Sequence, residues 1–480
     1  MRILEPNSFK KNVLKLATGT LISQIITLLS APIITRIYGA QNFGIMLIFT
    51  SISAIFIPVI NMRYELSIIL PRKKSEASNL FILSVFIAIF FSFLLLLVII
   101  FFGDQLFILF NINNLEPYKL LIPLTIFLAG VTSSCNYWCT RNKYFSQISI
   151  AQILTQLFVS IGGVGFGLLG HNNSITLITV GIFGQLLNLL ILGGKIVFSK
   201  DLKFIFLSVN LQKVIDGAIR HKNFPKFSSL GALLNSASWQ SPIIILGFFF
   251  PPTIVGFYGL GFRLIQMPMS LLGNSINQVF LQHGTQKKHE GNLGRDVEKL
   301  FMLLFSLGLI PNLILMIVGA NLFELFFGTG WREAGIYVQI LIPWAFLWFL
   351  SSPLSPIYSI QEQQKKELKM HSMIFFMRVI SLLIGGFFGN ARIAILLFSI
   401  GGIVAYGYLL FQVFMITELE LKNIINKVFN EFIKSLIFVL PLLVIKLIFN
   451  NNLLLLVAGL VSFLIVAYQK YNLLKLQKHV

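Results

Sequence analysis

Fourteen apolar runs, each about 20 residues long, dominate this sequence of 480 residues. A helix needs about 20 apolar residues to cross the hydrocarbon core of a bilayer, and it satisfies all its backbone hydrogen bonds internally there. The runs lie at 14–37, 43–62, 78–102, 118–138, 149–170, 174–198, 227–250, 254–278, 298–322, 334–358, 372–390, 393–416, 432–450 and 452–471. The sequence therefore predicts an all-α polytopic membrane protein and excludes a soluble globular enzyme.

The charged residues predict how these helices are oriented. The net charge is +20, although only 11% of the residues are charged and the mean hydropathy is +0.84. With a cytoplasmic N-terminus, 31 of the 37 Lys and Arg residues fall on cytoplasmic segments. The other six are Arg36, Lys119, Arg263, Arg332, Arg392 and Lys446. This asymmetry follows the positive-inside rule, so we expect both termini in the cytoplasm and no nucleic-acid partner.

The domain organisation is predicted from the longest internal loop and a weak repeat. The loop at 199–226 is basic and partly amphipathic, which is typical of a helix on the membrane surface. Gly44 and Gly256 open runs 2 and 8 in similar contexts, 212 residues apart. We therefore expect two six-helix lobes, as in transporters built from repeats. The predicted divisions are 1–198 for the N-terminal lobe, 199–226 for the linker, 227–417 for the C-terminal lobe and 418–480 for an additional hairpin.

Polar residues inside the apolar runs are the candidate binding residues. Arg263, Gln266 and Asn274 recur every three or four residues in run 8, so they share one helical face. No acidic residue between Asp216 and Glu290 neutralises Arg263 locally. We therefore expect a water-filled cavity that receives an anionic substrate, and a distant carboxylate as the partner of Arg263 is the alternative. Further candidates are Gln24 in run 1, Asn235 in run 7 and Arg36 at the outer end of run 1, where an interfacial position is an equal alternative for Arg36.

The sequence offers no group for chemistry on a substrate. Cys135 and Cys139 lie inside an apolar run and are expected to be packing residues, and the six His are scattered. We expect no catalytic residue, no metal and no cofactor, and hence not an enzyme. Only Glu65 and Glu324 are carboxylates beside a run that could face a cavity, so the choice between H+ and Na+ as coupling ion stays open.

Three segments resemble a known family. They are LATGTLISQIITLLSAPIITRIYGAQNFG, RYELSIILPRKKSEASNL and HKNFPKFSSLGALLNSASWQSPIIILGFFFPPTIVGFYGLGFRLIQMPMSLLGNSINQVF. They resemble Wzx-type polysaccharide flippases of the MOP (multidrug/oligosaccharidyl-lipid/polysaccharide) superfamily. The resemblance implies a V-shaped, MATE-like pair of lobes in the bacterial inner membrane. It also implies alternating access for an undecaprenyl-diphosphate-linked oligosaccharide, with Arg263 and Arg36 meeting the diphosphate or acidic sugars.

The resemblance further implies a role in synthesis of O-antigen lipopolysaccharide, capsule or exopolysaccharide. The implied partners are membrane lipids, a polysaccharide polymerase and a chain-length regulator. The final pair of runs departs from a twelve-helix pattern. Three alternatives remain open: a MATE-like small-molecule exporter, a lipid II flippase, and a membrane glycan polymerase or ligase. Buried positive charge disfavours a cationic cargo, and short external loops disfavour a polymerase.

Overall fold

The computed structural model describes residues 6–267, 269, 280, 293–449, 451–462 and 464, and this part of the chain is helical and contains no strand. In chain order the helices are α1 (Pro6–Phe56), α2 (Tyr64–Ser67), α3 (Lys74–Leu109), α4 (Leu121–Arg141), α5 (Phe145–Leu168), α6 (Ser174–Phe198), α7 (Asp201–Ser208), α8 (Leu211–Arg220), α9 (Ser229–Phe249), α10 (252–267), α11 (Leu293–Phe327), α12 (Arg332–Ser351), α13 (Ile357–Ile360), α14 (Gln364–Phe387), α15 (Ala391–Ile416), α16 (Leu421–Ile448) and α17 (Asn452–Ser462).

Every predicted apolar run overlaps one of these helices. Runs 1 and 2 both lie on α1, and runs 8 and 14 continue beyond the described residues. Within the described residues, nine helices are long and apolar enough to cross a membrane. The exact count of fourteen membrane spans stays a prediction, because α4, α10, α16 and α17 are shorter, less apolar or only partly described.

A break at Gly39 separates the two predicted runs that share α1. Gly39 has φ 67° and ψ 173°, so the helix is interrupted between its two halves. A Cβ at this position would meet nothing within 4 Å, so the requirement for glycine is conformational rather than steric. Only glycine adopts such a backbone conformation without strain.

The chain divides into two compact units, Met1–Val255 and Gly256–Val480. In the first unit α1 packs against α5, α6 and α9, and α3 packs against α4 and α8. Helix α9 thus belongs to the first compact unit, because the Ser236 hydroxyl donates to the Ile55 carbonyl on α1 at 2.9 Å. The predicted functional lobes, 1–198 and 227–417, are a different division and stay a prediction.

Asp201 fixes the linker to the helices of the first unit. Its carboxylate accepts hydrogen bonds from Lys74 Nζ at 2.6 Å, from Trp138 Nε1 at 3.2 Å and from the Tyr144 hydroxyl at 3.2 Å. Burial by itself would raise the pKa of Asp201, but the hydrogen bonds from Lys74, Trp138 and Ser199 hold it below its ordinary value. The carboxylate therefore holds α7 against α3, α4 and the start of α5.

Helix α8 is the amphipathic helix that the linker predicts. Leu211, Ile215 and Ile219 are exposed on one side, and Val214 and Ala218 pack against the core of the first unit. The Tyr64 hydroxyl donates to the Ala218 carbonyl at 3.0 Å and holds the helix in place. Helix α8 has ten residues and is therefore about 15 Å long, which is too short to cross a bilayer. It lies along the surface of the first unit.

In the second unit α12 packs against both α11 and α15, α14 packs against α15, and α16 packs against α11. Gly402 on α15 is in close contact with the indole of Trp344 on α12, since an added Cβ would lie 2.0 Å from Trp344 Cδ1. The closing hairpin of α16 and α17 is attached to α11 through apolar contacts and a hydrogen bond. Asn321 Nδ2 donates to Asn452 Oδ1 at 2.7 Å.

Candidate functional site

Arg263 and Gln266 form a polar face on α10. They are the two exposed residues between 252 and 267, and they lie three positions apart on one side of the helix. Membrane-facing positions elsewhere are apolar, as with the exposed Phe86, Phe90 and Phe93 on α3. An exposed arginine and glutamine in the middle of a predicted membrane helix therefore indicate contact with water rather than lipid.

The remainder of α10 is fixed by aromatic contacts within the second unit. The Phe262 ring stacks on Trp344 with centroids 6.1 Å apart and planes 11° apart, and Tyr258 stacks on Phe262 at 5.6 Å. A Cβ added at Gly261 would lie 2.8 Å from Val338 Cγ2, so α10 and α12 are in close contact. This packing sets the rotation of α10 about its axis and leaves Arg263 on the exposed side.

No hydrogen bond or ion pair joins Arg263 to another residue of the described ranges. A guanidinium offers five N–H donors in a planar array that matches a carboxylate or a phosphate. Its donors are therefore available to an anionic ligand. Arg263 and Gln266 lie on one face of α10, as the sequence predicts. The third residue of the predicted face, Asn274, lies outside the described residues.

The sequence analysis missed a second arginine that lies within a predicted membrane helix. Arg378 lies in the middle of α14, is only 4% exposed, and donates from Nη2 to the Tyr406 hydroxyl at 2.7 Å. The count of 31 cytoplasmic Lys and Arg residues includes Arg378, although this residue lies within one of the predicted apolar runs. Its place inside the apolar run 372–390 was the signal that could have identified it.

The candidates from the N-terminal half all lie in the first unit. Arg36 on α1 and Asn235 on α9 are exposed, and Gln24 on α1 is half-buried. Neighbouring polar residues of α1 make contacts within and between helices: the Ser160 hydroxyl of α5 donates to Ser30 Oγ at 3.0 Å, and the Thr27 hydroxyl donates to the Ser23 carbonyl at 2.9 Å. Interhelical hydrogen bonding thus accounts for part of this polar stripe.

Glu65 has a buried carboxyl group. It lies on the short helix α2, which follows α1 and precedes α3. It is 3% exposed, its Oε1 lies 3.7 Å from Arg63 Nη1, and its Oε2 has no hydrogen-bond partner among the described residues. Burial raises the pKa of Glu65 to about 7, against a smaller lowering by its backbone hydrogen bond and by Arg63. Glu65 therefore exchanges a proton near neutral pH.

The other carboxylate next to a run, Glu324, is used in an ion pair. Its Oε2 accepts from Arg332 Nη1 at 2.5 Å, with both groups partly exposed. In the part of the chain that the structure describes, no group of three His, Cys, Asp or Glu side chains could hold a metal ion.

Comparison with known proteins identifies the family. The model of the polysaccharide biosynthesis protein family matches residues 33–336, which is more than half of the chain and includes the second part of α1 and all of α10. The chain belongs to this family. No protein of curated function matches the sequence significantly.

Solved structures of two kinds share the fold of this polysaccharide biosynthesis protein. The lipid II flippase MurJ in an inward closed conformation aligns with a TM-score of 0.69 and 14% identity, over 96% of this chain and 99% of that chain. A multidrug resistance MATE family transporter of the MOP superfamily, in an inward-facing conformation, aligns with a TM-score of 0.56 and 12% identity, over 85% of this chain and 96% of that chain. These likenesses confirm the predicted all-α polytopic membrane fold, and the family match confirms the predicted place in polysaccharide biosynthesis.

Proposed function

We propose that this protein is a flippase. It moves an undecaprenyl-diphosphate-linked oligosaccharide repeat unit from the cytoplasmic to the outer leaflet of the bacterial inner membrane, for synthesis of a cell-surface polysaccharide. The single observation that supports this most directly is the exposed Arg263–Gln266 face of α10, in a chain of a polysaccharide biosynthesis family with a MOP fold.

The physical need for such a protein follows from the cargo. A diphosphate and sugar hydroxyls lose their hydration in hydrocarbon, and without partners their burial costs many kcal/mol. Arg263 would replace part of that hydration by charge-assisted hydrogen bonds to the diphosphate, and Gln266 would bind polar groups beside it. Gln24, Asn235 and Asn274 are proposed as further polar cavity residues, and Arg36 as a second cation.

The proposed transport cycle is alternating access. The two six-helix lobes, 1–198 and 227–417, would rock about the linker while the polyprenyl tail stays in lipid. Both termini are proposed to be cytoplasmic. Glu65 is the candidate group for proton coupling, because its carboxyl titrates near neutral pH. Na+ is the alternative coupling ion, and a polymerase and a chain-length regulator are the proposed partners downstream.

The rival functions differ in the charge and identity of the cargo. A MATE-like exporter of cations would want acidic residues buried in the N-terminal lobe, whereas the charge on the polar face of α10 is the positive charge of Arg263. A lipid II flippase carries the same diphosphate anchor but a peptidoglycan precursor, and the fold is shared with MurJ. A glycan polymerase or ligase would instead act on units already in the outer leaflet.

Deletion of the gene followed by mass spectrometry of lipid-linked glycans tests these alternatives. Intact and broken cells are labelled separately, so the leaflet of each glycan is known. We expect one undecaprenyl-diphosphate repeat unit to accumulate on the cytoplasmic side. Accumulation of lipid II would indicate a lipid II flippase. Accumulation of single units on the outer side would indicate a polymerase or ligase. If no lipid-linked glycan changes, the protein would be an exporter of small molecules.

Complementation of the deletion strain tests the role of Arg263. We expect Arg263→Ala to abolish translocation and Arg263→Lys to retain part of it, because lysine keeps the charge but not the planar array of donors. Arg295→Ala is the matched control, since Arg295 is an exposed arginine on α11 in the same unit. Normal translocation by membrane-inserted Arg263→Ala would remove Arg263 from the mechanism.

A further inference from the structure

A cavity of about 310 Å³ lies where α3 and α9 end in the first unit. Asn111 and Asn114, which follow α3, line one part of it, and Phe249 and Phe250 at the end of α9 line another. The Asn111 Nδ2 group donates to the Phe248 carbonyl at 2.8 Å and so holds the loop after α3 against the end of α9. Both helices end here on the side that is predicted to face outward.

The polar groups of this cavity are carboxamides. Every side chain that lines it is uncharged, so a charged ligand would find no counter-ion there. The Asn114 side chain is exposed and makes no hydrogen bond to any other residue in the described ranges. A carboxamide both donates and accepts, which matches the alternating needs of neighbouring sugar hydroxyls.

The apolar part of the cavity complements a sugar ring in a second way. Phe249 and Phe250 are half-exposed, with ring centroids 6.4 Å apart and planes at 50°. A pyranose presents hydroxyls at its edge and aliphatic C–H groups on its faces. The side-chain amides can bind the hydroxyls, and the phenyl rings can pack against the C–H groups. The cavity volume lies at the lower end of the range for small-molecule sites, which suits a single ring rather than a whole repeat unit.

We propose that this cavity binds one neutral pyranose residue of the glycan on the outer side of the membrane. The assignment of that pyranose to a transported glycan rests on the flippase function proposed above. The chemistry here is complementary to that of Arg263: the cation meets the diphosphate, whereas an uncharged cavity of amides and rings holds a sugar. A sugar bound near the end of translocation would slow return of the unit to the cytoplasmic side.

Binding of simple glycosides to the full-length protein tests the site without any transport step. The protein in detergent micelles is titrated with millimolar methyl glycosides of neutral hexoses and N-acetylhexosamines, and binding is followed by saturation-transfer NMR. We expect Asn114→Leu to weaken binding about tenfold, as loss of a ligand hydrogen bond predicts. Asn113→Leu is the matched control, because Asn113 is exposed on the same loop but does not line the cavity.

A second pair of variants tests the aromatic side. Phe250→Leu should weaken glycoside binding, whereas Phe101→Leu, at an exposed phenylalanine of α3 that does not line the cavity, should leave it unchanged. If Asn114→Leu does not fold, Asn114→Asp keeps the side-chain size and replaces the amide donor, and it should also weaken binding. The proposal is overturned if no glycoside binds to the wild type, or if each variant binds as well as its control.

Failure of this proposal can be told apart from failure of the proposed function. Arg263→Ala should bind glycosides as the wild type does while losing translocation. Glycoside binding without any accumulation of a lipid-linked glycan in the deletion strain would keep the sugar site and reject the flippase. Accumulation of the glycan without glycoside binding would keep the flippase and reject the sugar site.

Discussion

Glu65→Gln is expected to stabilise the protein at alkaline pH and to leave its stability unchanged at acidic pH. The carboxyl is buried, and its pKa is raised to about 7 from the ordinary value of 4.5. The folded protein therefore binds a proton between these two pH values that the unfolded chain has already lost. Stability contributed by this proton is complete below about pH 4.5 and is lost as the pH rises to about 7.

The size of the effect follows from the two pKa values. The difference between about 7 and 4.5 corresponds to about 3 kcal/mol of folding free energy, as an order of magnitude. Glutamine has nearly the same shape and no charge, so it should avoid the cost of ionising a buried group. The wild type should lose this amount between acidic and alkaline pH, and Glu65→Gln should not.

Thermal unfolding of the purified protein measures this difference. Trp138 and Trp344 are fully buried, so intrinsic tryptophan fluorescence reports their exposure on unfolding at either pH. Unfolding temperatures are compared at pH 5 and pH 8 for the wild type, Glu65→Gln and the exposed control Glu116→Gln. If Glu65→Gln were equally destabilised at both pH values, Glu65 would be ionised and paired with Arg63, and the reasoning would be refuted.

Two further predictions concern packing and the linker. Gly402→Ala should destabilise the second unit by about 1–3 kcal/mol in thermal unfolding, because its Cβ would meet the Trp344 indole, whereas Gly407→Ala should be neutral because nothing lies within 4 Å of an added Cβ. Equal unfolding temperatures for these two variants would contradict the close contact. Asp201→Asn should weaken the attachment of α7, because the carboxylate that accepts a hydrogen bond from Lys74 loses its charge. Limited proteolysis should then cleave the linker faster than in the wild type. An unchanged rate of cleavage would count against the role of Asp201.

Part of the site was predictable because it depends on helical periodicity alone. Arg263 and Gln266 are three residues apart in one apolar run, and any helix brings them to the same face. The break at Gly39 was likewise implied by two apolar runs that end and begin around it. In contrast, Arg378 was counted with the cytoplasmic cations, although the run around it should have placed it inside the membrane.

The surroundings of Glu65 could not be predicted from its neighbours in sequence. It stands in a polar segment between two membrane runs, where a carboxylate is usually exposed. Its burial arises because α3 and α4 pack against α2, and because the Tyr64 hydroxyl donates to the Ala218 carbonyl on α8, more than 150 residues away. The elevated pKa of Glu65 is therefore a property of the packing and not of the local sequence.

The sequence by itself determined the helical class, the positions of the apolar segments and the cationic face of α10. These features depend on hydropathy and on the repeat of one helix, and both can be read from residues within a few turns of each other. The tertiary structure decided which distant segments meet: α9 on α1, Asp201 on Trp138, and Asn114 beside Phe250. The apolar helices have similar hydropathy, so hydropathy does not determine which of them pack together. Side-chain shape and close packing determine these contacts.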